Sequence, residues 1–117
     1  MRVAKQKMQG ASLVVLTGEL DRIEADQVAR VLDAARPVAP DHPILLLDMT
    51  NLTFADSTIL ALVYDAMQDL PQGSWVGLIG PSPSLTRVLS LGGLTDHPSV
   101  RMFATREEAR AAVAPIR

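Results

Sequence analysis

The run Asp56-Ser57-Thr58 sets one carboxylate and two hydroxyls side by side. It follows a short aliphatic run, Ile44 to Leu47, and precedes a helical stripe that begins at Ile59. The link Asn51 to Thr58 therefore reads as a loop between a buried strand and a helix N-terminus. Open parallel sheets place their sites in such loops. Free backbone N–H groups at a helix start favour oxygen ligands and anions. The same residue types also serve as plain helix caps. One residue suffices for a cap, so three in succession leave room for a second role.

A second acidic segment, Gly18-Glu19-Leu20-Asp21, follows a β-branched strand, with Asp21 and Glu24 in capping-box spacing. If the two strands are neighbours, Asp21 and Asp56 meet at one edge of the sheet. Together they could hold magnesium, although two carboxylates from separate loops are a weak signal for a metal.

The remaining inventory for chemistry is thin. The chain has no cysteine, so disulfides, thiolate zinc sites and thiol nucleophiles are excluded. Its two histidines, His42 and His97, each sit in an Asp-His-Pro turn before a strand. Ser57 lacks the G-x-S-x-G setting of a nucleophile elbow. No phosphate-binding P-loop or dinucleotide-binding glycine pattern occurs. The residues thus call for no cofactor, no metal and no catalysis. A net charge of -2 argues against direct nucleic-acid binding. The four aromatics, Phe54, Tyr64, Trp75 and Phe103, are too few for a base-stacking platform. No run approaches the roughly 20 apolar residues of a membrane span, and Met1 to Gly10 lacks the apolar region of a signal peptide. These bounds imply a cytoplasmic location without membrane insertion.

The elements that must position these residues are legible as alternating patterns. At 117 residues, 48% hydrophobic and 21% charged, the chain reads as one globular domain over 1–117. Weak alternation over Arg2 to Met8 suggests an edge strand, with a turn at Gly10. Ser12 to Thr17 reads as a strand ended by Gly18. Ile23, Val28, Val31, Leu32 and Ala35 share a helical face that Pro37 and Pro40 terminate. Pro43 to Asp48 reads as a central strand buried on both faces. Ile59, Leu62, Val63, Ala66, Met67 and Leu70 form a helical stripe broken at Pro71-Gln72-Gly73. Trp75 to Ile79 is the next strand. Ser82-Pro83 caps a helix with Leu85, Val88 and Leu89 inside and Gly92-Gly93 at its end. Val100 to Phe103 is a strand, and Thr105 with Glu108 opens a last helix with Ala109, Ala112, Val113 and Ile116 inward. The order β-β-α-β-α-β-α-β-α implies an α/β fold, a mixed and mostly parallel sheet of 4–5 strands with about four helices.

Taken in order, these segments resemble the STAS domain, the family of bacterial anti-sigma-factor antagonists. Thr17-Gly18-Glu19-Leu20-Asp21 looks like the family's G-E-[LI]-D signature, and Asp56-Ser57-Thr58 like its D-S-[ST]-G-L loop. Gly80 through Leu94 looks like its third helix, with the closing glycine-leucine pair, and Thr105 to Ala109 like the start of its last helix. The resemblance covers nearly the whole chain.

It implies a non-enzymatic domain that binds a cognate anti-sigma factor, itself an ATP-dependent serine kinase, and so releases a sigma factor to direct transcription. Phosphorylation at Ser57 then ends the complex, until a phosphatase resets it. Asp21 and Asp56 would shape the acidic surface, and Thr58, Ile59 and Leu60 would adjoin the partner. A homodimer stays open. Ile59 stands where the family usually has glycine. Packed inward it leaves the site open; pointing outward it crowds the partner or selects another. Leu60 and Tyr64 lie off the main stripe and either meet the partner or lean on a neighbouring element. Two other functions remain: a phosphorylation-independent scaffold or subunit of a signalling or transport assembly, and a small-ligand or nucleotide-binding sensor, since a helix N-terminus can hold an anion.

Overall fold

The computed structural model describes residues 1–8, 10–37 and 43–113. The helix stop expected at Pro40, the first Asp-His-Pro turn through His42 and the inward Ile116 lie outside the described residues. The remaining elements follow the expected order: β1 (Arg2–Met8), β2 (Ala11–Leu20), α1 (Ala25–Ala34), β3 (Ile44–Ala55), α2 (Thr58–Ala66), β4 (Trp75–Ile79), α3 (Pro83–Leu91), β5 (Val100–Phe103) and α4 (Arg106–Val113).

They build one five-stranded sheet in the order β1-β2-β3-β4-β5. β1 pairs antiparallel with β2 through the turn at Gly10, whose φ of +83° suits glycine. The other three pairings are parallel. Side chains alternate across a strand, so each strand feeds two cores. One core joins Val14, Leu16, Leu45, Leu47, Val76 and Leu78 to α1, α2 and α3. The other joins Leu13, Leu46, Trp75 and Ile79 to Ala109 and Val113 of α4. Among the described residues, α1, α2 and α3 thus cover one face and α4 packs on the other. The central strands β3 and β4 are buried on both faces, as their continuous apolar runs require.

Several boundaries differ from the local reading. β2 runs on past Gly18 to Leu20, and β3 past Asp48 to Ala55. Two register irregularities, between Val15 and Thr17 and between Gly18 and Glu19, let the two strands stay paired over this stretch. Gly18 takes φ +104° there. Most of the expected Asn51–Thr58 loop is therefore strand. Ile23 is not on the inner face of α1: it precedes the helix and is 86% exposed. α2 ends at Ala66, before Met67 and Leu70, and Asp69 turns the chain at φ +57°. Ala112 faces solvent, while Ala109 and Val113 carry the contact of α4.

Candidate functional site

β2 and β3 deliver the two acidic segments to the same edge of the sheet. Their last paired residues are Leu20 and Ala55, and the Asp56 amide donates to the Leu20 carbonyl at 3.3 Å. The Thr53 hydroxyl adds a bond to the Gly18 carbonyl at 3.0 Å. Asp21 and Asp56 each begin the segment that leaves this paired end. The adjacency expected from topology is present.

Each aspartate organises its own turn. Asp56 Oδ1 accepts from the Thr58 amide at 2.9 Å. The Ile59 amide donates to the Asp56 carbonyl at 3.1 Å, which starts the α2 ladder. Asp21 Oδ1 accepts from the amides of Ile23 at 3.0 Å and Glu24 at 3.2 Å. Both are short-range turns of the kind that aspartate side chains favour. Hydrogen bonding from the Thr58 hydroxyl and amide holds the Asp56 carboxyl below the usual carboxylate range, and the Arg22 charge adds to this. Asp56 is an anion at neutral pH.

Ser57 does something different. Its backbone is helical, at φ -64° and ψ -9°, and its side chain makes no capping bond. A capping serine adopts extended geometry instead, as Ser82 does at the start of α3, where its Oγ accepts from the Leu85 amide. Ser57 is exposed, and the duty that would have turned its hydroxyl inward falls to Asp56.

The neighbours on α2 divide. Thr58 is half-buried and occupied with Asp56. Ile59 is fully buried in the core beneath α1 and α2. As a partner-contacting residue it is corrected: its side chain packs inward and leaves the surface around Ser57 open. Leu60 is half-buried against the C-terminal turn of α3, where a Cβ at Gly92 would lie 2.5 Å from a Leu60 methyl. Tyr64 donates to the Gly92 carbonyl at 2.6 Å and meets the His97 ring edge-on. Both residues thus lean on a neighbouring element.

One ion pair went unnoticed in the sequence. Asp48, in the middle of β3, is buried and accepts from the Arg106 guanidinium at 2.6 and 3.0 Å and from the Thr50 amide at 3.0 Å. Burial pushes its carboxyl up. The Thr50 and Arg106 hydrogen bonds and the Arg106 charge outweigh that and hold it below its ordinary value. The only signal was a carboxylate inside an apolar run. This pair pins the start of α4 to β3 and lies outside the Ser57 surface.

Among the described residues, no group of three or more histidine, cysteine or acidic side chains could hold a metal ion, and no helix is long and apolar enough to cross a membrane. Among the described residues, two concavities, of about 370 and 400 Å³, lie between α1 and α2 and at the ends of β4 and β5. Neither is lined by Asp21, Asp56 or Ser57. Ser57 thus stands exposed, outside both concavities, with its hydroxyl making no capping bond.

Comparison with known proteins agrees with this architecture. The unphosphorylated form of the anti-sigma factor antagonist SpoIIAA is 27% identical, with a TM-score of 0.75, and the match covers 96% of each chain. The phosphorylated form of Bacillus SpoIIAA is 26% identical, with a TM-score of 0.73, over 97% of this chain and 100% of that one. An anti-sigma factor antagonist from Mycobacterium paratuberculosis is 24% identical, with a TM-score of 0.83, over 96% and 92%. A sulfate transporter family protein from Wolinella succinogenes shares the fold at 20% identity and a TM-score of 0.70, over 89% and 84%. No curated protein matches the sequence. The STAS domain family model matches residues 2–109, nearly the whole chain, and the chain belongs to the STAS domain family.

Proposed function

We propose that this protein is a cytoplasmic anti-sigma-factor antagonist that works by partner switching and is controlled at Ser57. The observation that carries this reading is the division of labour at the α2 N-terminus. Asp56 caps the turn, and the Ser57 hydroxyl stays exposed and uncommitted. In its unmodified form the domain binds an anti-sigma serine kinase, which frees the sigma factor. Ser57 Oγ then attacks the γ-phosphorus of ATP; ADP leaves, and the hydroxyl proton passes to a base of the kinase. The domain is the substrate in this step, and the catalytic groups belong to the kinase.

The new phosphate carries about -1.5 to -2 charges at neutral pH. It stands next to the Asp56 anion and near Asp21. Like charges desolvated in an interface cost several kcal/mol, so the complex dissociates. In the free domain, water and the α2 dipole offset the same charge, and the fold persists. Removal of the phosphate by a phosphatase restores binding. The protein has no direct contact with nucleic acid in this scheme.

Incubation with the cognate kinase and ATP, followed by mass-spectrometric mapping, tests the reading. Phosphate on Ser57 and weak kinase binding by Ser57→Asp are expected. Equal binding by Ser57→Ala and Ser57→Asp would show instead a constitutive assembly subunit, the alternative favoured by the fold's presence in the Wolinella transporter relative.

A further inference from the structure

Four large hydrophobic side chains are strongly exposed among the described residues: Ile23, Phe54, Tyr64 and Leu91. Tyr64 is accounted for by its bond to Gly92 and its contact with His97. Two of the others belong to the segments that carry Asp21 and Asp56. Ile23, 86% exposed, lies two residues beyond Asp21, and Phe54, 53% exposed, two residues before Asp56. Single exposed apolar residues are ordinary; two in the segments that carry Asp21 and Asp56, one in the turn beyond β2 and one in the last pairings of β3, are not.

Both are held on fixed backbone. The Ile23 amide is bonded to Asp21 Oδ1, and Phe54 stands in the β2–β3 ladder opposite Glu19. Anchors presented this way lose little further freedom on binding. Their surroundings are acidic. Over residues 19–26 and 54–57 the charged side chains are Glu19, Asp21, Glu24, Asp26 and Asp56 against Arg22; β1 adds Arg2, paired with Thr17, and the Met1 amino group lies beside Gly18, so the acidic groups still outnumber the basic ones. Such a surface repels a second copy of itself, anionic lipid and nucleic acid, and attracts a basic one.

We propose that Ile23 and Phe54 are the apolar anchors of the Ser57 surface, and that the partner offers them an apolar pocket rimmed by lysine or arginine. The proposal rests on the antagonist reading and gives that partner's surface its chemistry. Hot-spot residues of interfaces have this character, an apolar anchor within a polar rim.

The test uses the purified cognate anti-sigma serine kinase and measures association and dissociation rates at several salt concentrations. Ile23→Ser and Phe54→Thr should each weaken binding about tenfold or more, mainly through faster dissociation, with salt dependence unchanged. Asp21→Asn should act mainly on association and flatten the salt dependence. Both anchors are exposed, and unchanged thermal midpoints would show that folding is intact. Wild-type affinity in both anchor variants, with Ser57 still phosphorylated, overturns this inference alone. A kinase that neither binds nor phosphorylates the wild-type chain overturns the antagonist reading and this inference together. Loss of binding in the anchor variants with no phosphate on Ser57 supports the anchors and rejects the phosphorylation switch. Sedimentation showing a homodimer that the same substitutions dissociate would overturn the assignment of a basic partner.

Discussion

Asp56 Oδ1 accepts the Thr58 amide proton at 2.9 Å, across the residue that carries the candidate phosphoacceptor. This bond satisfies the helix start without the Ser57 hydroxyl. Asp56→Ala should lower the thermal midpoint by a few degrees, because an acceptor for an orphan N–H is lost. Asp56→Asn, which keeps the acceptor, should lower it less. Ser57→Ala should leave it unchanged. A midpoint that falls as far in Ser57→Ala as in Asp56→Ala would show that the serine caps after all.

Ile59 fills core volume where the family usually has glycine. Ile59→Gly removes a fully buried side chain and adds a helix-disfavouring residue. It should destabilise the domain by about 3–5 kcal/mol. Urea unfolding measures this. A loss under about 1 kcal/mol would mean that the core closes over the gap.

The Asp48–Arg106 pair gives stability a pH dependence. The folded-state pKa of Asp48 lies below its ordinary 3.8. The folded state therefore resists protonation more than the unfolded chain does. This contribution is complete above the unfolded value and drains as pH falls through it to the lower folded one. Urea midpoints measured from about pH 6 to pH 3 should fall less steeply in Asp48→Asn than in the parent.

Removing the cation from the same pair strands a buried carboxylate. A fully buried pair broken on one side costs about 3–5 kcal/mol. The Arg106 side chain is 39% exposed, so Arg106→Ala should cost less, about 2 kcal/mol. Equal stability of Arg106→Ala and the parent at neutral pH would show that water replaces the guanidinium.

Leu60 packs where Gly92 has no side chain. Gly92→Ala should destabilise by about 1 kcal/mol, since three Leu60 atoms lie within 3.1 Å of the new methyl position. In a Leu60→Ala background the penalty should largely vanish, because the crowding atoms are gone. A double-mutant cycle by urea unfolding reads this coupling; strictly additive costs would place the strain elsewhere.

What the residues determine locally is considerable. Ser82-Pro83 starts α3 with the serine oxygen on the Leu85 amide, and Gly92-Gly93 ends it. The alternation of apolar runs with helical stripes yields the observed element order. Caps and periodicities depend on neighbours a few positions away, so a linear reading reaches them. The site residues Asp21, Asp56 and Ser57 stood out for the same reason. The tertiary structure decided whatever depends on distant segments. β2 and β3 outlast their expected ends because each offers the other a ladder through Leu20 and Ala55. Ile59 turns inward because the sheet and α1 provide a core for it. Asp48 found Arg106 fifty-eight positions away. Above all, three candidate caps shared one helix start, and only the folded backbone, helical at Ser57, shows that Asp56 caps and Ser57 is left free.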